Sequence, residues 1–268
     1  MKKIAFVLLT LLCSASVQAE ELSLSIQPVF PPEKLTAMLA PLAEKLSVVA
    51  KRNVRPMLTK NSAEYETELL RGKIAIGYQS PLLYVKAADR HEVLVTAVEG
   101  KNGTQLRGIV ISRPETGIAK ASDLKGKRIM IVGKNSAGGY LSQKQTLKEA
   151  GLKVEQDCQL IEATENREEN VIIAVSLGET DAGFITESAL HKADDYIVPG
   201  SVTEVMKTAP LPNWALSVNR ALPQDLKESL QAALTGLPEN DPALAALGIS
   251  GFKAAQDADY NPVRSLAE

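Results

Sequence analysis

The stretch Ile129-Met-Ile-Val-Gly-Lys-Asn-Ser-Ala-Gly-Gly-Tyr140 is where residue types and spacing point most clearly to chemistry. Positions 129–132 are apolar and read as a strand, and the small residues that follow open a helix. The first N–H groups of a helix have no partner inside it, and the helix dipole makes its start partly positive. Ala137, Gly138 and Gly139 let an oxyanion come close to those groups, and Ser136 adds a hydroxyl donor. That is the chemistry of anion capture by backbone amides. The Gly-Lys-Ser/Thr ending of a nucleotide-binding P-loop is missing, and so is the Gly-x-Gly-x-x-Gly dinucleotide pattern. The same residues also suit an ordinary glycine-rich turn.

Two other strand-to-helix connections are candidates. In Gln79-Ser80-Pro81-Leu-Leu-Tyr84, Ser80 can cap a helix and Pro81 fits its first position, where no N–H is missed. Tyr84 lies one turn in, on the side of the cap. Gln27-Pro-Val-Phe-Pro-Pro32 follows another strand. In open α/β sheets ligands bind beyond the carboxyl ends of strands, which is where all three connections fall. His91 and His191 are far apart and lack ligand-spaced neighbours, so no metal is proposed and no cofactor is expected. Ser136 has no evident His/Asp partner, and Gly-x-Ser-x-Gly is absent, so a serine hydrolase is not indicated.

The elements that must position these residues alternate between strand and helix. Apolar spacing predicts strands over 21–26, 55–59, 74–79, 93–98 and 106–112, with helices over 32–52, 62–71 and 81–88. Ser62 is the expected N-cap of the second helix. A turn-rich segment, Pro114-Glu-Thr-Gly117, precedes a second alternation. It has strands over 127–132, 159–162, 182–185 and 214–219 and helices over 139–150, 168–177, 187–192 and 223–234. Gly151 closes the first of these helices. Cys158 reads as a small core residue at the head of a strand. Two units of similar build imply an α/β protein with two lobes. One lobe is assigned to 20–110 plus 209–268 and the other to 111–208, with two chain crossings as a hinge. The competing arrangement is a single doubly wound sheet. The tail from Asp241 onward carries too little pattern to place.

The first residues address the compartment. Lys2 and Lys3, a short apolar run over 4–12 and the Val17-Gln-Ala19 site form a secretory signal peptide over 1–19, cut after Ala19. Removing it also removes Cys13, so Cys158 has no partner for an internal disulfide. The remaining chain has 28 basic against 32 acidic side chains and few aromatics. That balance does not suit a nucleic-acid partner.

Four features together resemble the periplasmic phosphonate/phosphite/phosphate-binding proteins of ABC importers, a branch of the type II periplasmic binding proteins. They are Ser80-Pro81-x-x-Tyr84-x-x-Ala87, Leu124-Lys-Gly-Lys-Arg128 with the Ser136-Ala-Gly-Gly loop, Ala174-Val-x-x-Gly178-x-x-Asp181-Ala182, and the proline-rich approach to Asn213 and Trp214. The resemblance spans nearly the whole mature chain. It implies two lobes, each a mixed, mainly parallel sheet flanked by helices, with a two-crossing hinge that closes on a small oxyanion. It also implies a non-enzymatic partner of an ABC permease, acting as a monomer in the periplasm; a membrane sensor kinase is the alternative partner, and an exported enzyme a distant third. The family's tyrosine matches Tyr84, and its hydroxyl-rich loop matches Ser136, Ala137 and Gly138. Its cleft histidine falls at Glu168, its cleft glutamate at Glu187 and its aspartate near Asn213. If both carboxylates face the cleft, the ligand is expected to carry a P–OH proton or a cationic group.

Overall fold

The computed structural model describes residues 21–100 and 103–267. The expected signal peptide and its cleavage site lie outside these residues. In chain order the first elements are β1 (Leu22–Ile26), α1 (Pro32–Ala50), β2 (Val54–Pro56), α2 (Ser62–Leu70), β3 (Ile76–Gln79), α3 (Pro81–Ala87) and β4 (His91–Val98). Next come β5 (Gln105–Leu106), β6 (Gly108–Ser112), β7 (Arg128–Ile131), α4 (Ser142–Glu149), α5 (Val154–Asp157) and β8 (Gln159–Glu162). They are followed by α6 (Glu168–Ser176), β9 (Ala182–Thr186), α7 (Glu187–His191), β10 (Thr203–Lys207), β11 (Leu211–Pro212) and β12 (Ala215–Asn219). The chain ends with α8 (Gln224–Thr235), α9 (Pro242–Leu247), β13 (Gly251–Ala254) and α10 (Asn261–Ala267).

These strands form two separate sheets. One has the order β13-β4-β12-β3-β1-β2, the other β10-β6-β9-β7-β8. Both are mixed. β1 is parallel to β2 and β3, whereas β12 runs antiparallel to β3 and β4. In the second sheet β7 is parallel to β8 and β9, and β6 is antiparallel to β9 and β10. Each sheet has its own core. In the first lobe α1 lays Leu35, Leu39, Leu42 and Leu46 on the sheet. In the second, Ile129, Ile131 and Phe184 meet Tyr140 and Leu147 on one face, and Ile109, Ile111 and Ile185 meet Val171 and Val175 on the other. The fully buried strands read as continuous apolar runs because helices cover both faces.

A two-stranded ribbon, β5 against β11, joins the lobes. It differs from the expected break at 110/111, which falls inside β6, a strand paired along its whole length with β9. The apolar run over 106–112 reads as one strand, but Leu106 belongs to the ribbon and Gly108 starts the second sheet.

Local corrections have local causes. Asn61, not Ser62, caps α2, its side chain accepting from Glu64 N. Cys158 is the residue after α5 rather than part of β8, half-buried, with its thiol donating to the Leu124 carbonyl at 3.2 Å. The unplaced tail folds back on the first lobe: β13 pairs with β4, and α9 is capped by Asp241, which accepts from Ala243 N.

Candidate functional site

After β7 the chain reverses, with Ser136 N donating to the Gly133 carbonyl at 2.9 Å. It then makes a five-residue π-turn, Ala137–Leu141, that runs directly into α4. The expected helix start at 139 is therefore a wider turn, in which Leu141 N reaches back to the Ser136 carbonyl at 2.9 Å. Such turns are rare and concentrate at functional places. Ser136 is its N-cap, its Oγ accepting from Gly139 N at 2.9 Å. The Gly139 N–H is thus engaged by the protein, while the Ser136 hydroxyl hydrogen remains a donor. The N–H groups of Ala137 and Gly138 have no acceptor among the described residues, although Ala137 is only 3% exposed.

The glycine at 138 answers a steric demand. A Cβ there would lie 2.7 Å from Thr186 Cγ2 and 3.0 Å from Leu106 Cδ1. The turn is held from inside by Gln143, which is fully buried. Its Nε2 shares two hydrogens among the carbonyls of Gly138 (2.7 Å), Ile185 (3.0 Å) and Ile109 (3.1 Å). Fixing the Gly138 carbonyl inward sets the direction of the amides beside it.

The start of α3 faces this turn across the ribbon. Leu82 of α3 and Ala137 of the turn share one buried cluster with Leu106 and Leu211. Ser80 makes no side-chain cap bond. Pro81 has no N–H, and the N–H groups of Leu82 and Leu83 find no acceptor among the described residues, the first bond of the helix being Tyr84 N to the Ser80 carbonyl at 3.1 Å. Gln27 joins the group, its Oε1 accepting from Ser80 N at 3.0 Å. Two helix starts, one from each lobe, thus carry four buried backbone donors with no acceptor among the described residues, and the side chains of Leu82 and Ala137 beside them share one cluster.

The other expected site residues divide. Tyr84 is turned into the first lobe. It is fully buried, and its hydroxyl donates to Asp257 Oδ1 at 2.6 Å. Burial, with the Asp257 hydrogen bond next, pushes its phenol well above the usual range. Glu187 is neutralised by Lys207, whose ammonium lies 2.6 Å away, and that hydrogen bond holds its carboxyl below the usual value. Glu168, in the first turn of α6, has no such partner among the described residues. Its carboxylate accepts from Thr186 N (2.6 Å) and Thr186 Oγ1 (3.0 Å). The nearby Lys192 is engaged by Glu99 of the opposite lobe at 2.8 Å. Burial lifts the Glu168 carboxyl above its ordinary pKa, the Thr186 hydrogen bonds oppose the shift, and the Glu99 charge adds to it. Asn213 is 4% exposed. Its Oδ1 accepts from Trp214 N at 2.8 Å, which fixes the amide orientation. Its Nδ2 is buried with no acceptor among the described residues.

Gln143, Lys207 and Asp257 are supporting residues that the sequence does not single out. The i, i+5 relation of Gly138 and Gln143 carries no pattern of its own, and Asp257 lies 173 positions from Tyr84. A conspicuous polar residue on the buried side of α4 is the only signal that Gln143 offers.

Against known proteins, residues 24–260 match the family described as phosphonate ABC transporter, periplasmic substrate-binding protein. The chain belongs to this family. Among solved structures, PhnD1 of Prochlorococcus marinus in complex with methylphosphonate is similar at a TM-score of 0.78 and 14% identity, covering 92% of this chain and 97% of that one. A binding protein component of an ABC phosphonate transporter from Pseudomonas aeruginosa is similar at 0.73 and 17%, covering 92% and 85%. A histidine kinase sensor domain is similar at 0.54 and 12%, covering 87% and 99%. At these identities the structures share the fold, that of the type II periplasmic binding proteins. The transport class follows from the family.

Proposed function

We propose that this family member traps a phosphonate-class oxyanion between its two helix starts and presents the closed form to an ABC permease. The supporting observation is the set of four unpaired N–H groups, at Leu82, Leu83, Ala137 and Gly138. A buried donor without an acceptor costs roughly 1–3 kcal/mol. An anion in the gap removes that cost at both lobes together, and only such differential contact can drive closure. Ser136 and Ser80 add hydroxyl donors, Asn213 Nδ2 adds an amide, and Gly139 supports the turn through its bond to Ser136. Each charge-assisted bond contributes roughly 1.5–3 kcal/mol net. The protein acts by binding alone, as a monomer, after removal of its leader following Ala19. A sensor-kinase partner has fold likeness alone behind it.

Charge selects among oxyanions. With Glu187 paired to Lys207, Glu168 is the carboxylate left to confront the ligand. An ionised Glu168 repels an anion unless one of the two carries a proton. The ligand is therefore a species with a P–OH, such as hydrogen methylphosphonate or hydrogen phosphite, or one with a cationic amine. Glu168 has a raised carboxyl pKa, so its ionised form costs stability and affinity at neutral pH, and both are regained as pH falls through that raised value.

Thermal-shift titrations with methylphosphonate, aminoethylphosphonate, phosphite, phosphate, arsenite and sulfate test this reading. Phosphonate or phosphite should stabilise the protein and sulfate should not. Their affinity should rise on acidification in the wild type and become flatter with pH in Glu168→Gln. Silence across the panel would remove the oxyanion role, and preference for sulfate would remove the role of Glu168.

A further inference from the structure

The last helix, α10, lies in the angle between the lobes, behind the anion turn. Its Val263 is fully buried, in one cluster with Leu82 of α3, Leu106 and Leu211 of the ribbon, and Ala137 of the turn, with Leu141 and Leu266 packed at its edge. Leu141 also packs against the core of the second lobe. The helix is fastened to the first lobe by polar bonds. Arg264 Nη2 donates to Asp257 Oδ1 at 2.6 Å, and the same oxygen accepts from Tyr84 of α3 at 2.6 Å. The neighbouring Tyr260 stacks edgewise on Tyr84, ring centroids 4.6 Å apart, and its hydroxyl donates to the Asn213 carbonyl at 3.0 Å. One end of this assembly is thus rigidly part of the first lobe, and its apolar face reaches a turn that belongs to the second.

We infer that α10 is a positioning element for the anion turn: Val263 and Leu266, carried by the first lobe, set where Ala137 and Leu141 lie against the ribbon. The turn is braced from two sides, by Gln143 inside its own lobe and by α10 from the other. Removing the outer brace leaves the turn attached to α4 but free to shift relative to α3, so amides from the two lobes no longer converge on one anion. The consequence for affinity rests on the function proposed above, whereas the bracing itself does not.

Val263→Ala and Leu266→Ala open space in this cluster without touching a donor. Amide hydrogen exchange on the full exported protein, without ligand, should speed up by about tenfold or more over 137–141 and stay unchanged in β7 and β9. Methylphosphonate affinity by calorimetry should fall by about tenfold, a change of the size that a small buried cavity produces. Leu266→Met, which conserves volume, should leave both near their wild-type values. Unchanged exchange over 137–141, or an equal rise across the strands, would overturn the inference and leave α10 a general stabiliser. A wild-type protein that binds none of the oxyanions removes the function proposed above, yet the exchange comparison still decides the role of α10.

Discussion

The two helix starts that face each other solve one problem with different residues. In the second lobe the turn is made of small side chains, Ser136, Ala137, Gly138 and Gly139, and is pinned by the Gln143 amide. In the first lobe α3 begins with Pro81, Leu82 and Leu83, of which Leu82 packs on the ribbon and Leu83 against Tyr65 and Leu69 of α2, and it is pinned by Gln27 and by the bond from Tyr84 to Asp257. Both leave two buried N–H groups unpaired. The donors come from the backbone in each case, so side-chain identity is constrained by packing rather than by the anion. Glycine is required at 138, where Thr186 and Leu106 leave no room for a Cβ, and at 139, where Val132 leaves none.

Substitutions on the two sides should break this symmetry unequally. Gly138→Val drives a branched side chain into Thr186 and Leu106 and should displace the turn. We expect affinity to fall by about a hundredfold or more, near 3 kcal/mol, in the range that overpacking a tight site costs. Calorimetry with methylphosphonate checks this, and retained affinity would place the site elsewhere. Tyr84→Phe is the contrasting case. It removes a buried bond to Asp257, so melting should reveal a loss of about 1 kcal/mol or more. Affinity should remain within about twofold, because the hydroxyl faces Asp257 and not the gap. A large loss of affinity without loss of stability would return Tyr84 to the list of ligand groups.

What was legible in the sequence was mostly periodic. The alternation of strands and helices, the pairing of two α/β units and the small-residue turn after Val132 follow from local pattern, and the structure carries all three. Glu168 is traceable to the start of α6, but its isolation is not, because Lys207 and Lys192 find Glu187 and Glu99 only through tertiary contacts. Tyr84 illustrates the limit most sharply. Its place one turn into a helix suggests a ligand donor, and its bond to Asp257, in a tail that has no readable period, has no sign in the local pattern. Elements as short as β13 and α10 offer four and seven residues, too few for periodicity to separate strand from helix. Those two also settle the C-terminal segment on the first lobe.

The central claim is that backbone amides at the starts of α3 and of the turn before α4 hold the anion. Amide proton shifts of isotopically labelled protein, titrated with methylphosphonate, test it most directly. Ala137 and Gly138 in one lobe and Leu82 and Leu83 in the other should move downfield together as the ligand binds, by more than any amide elsewhere in the chain. Saturable binding with those four resonances unmoved would contradict the account.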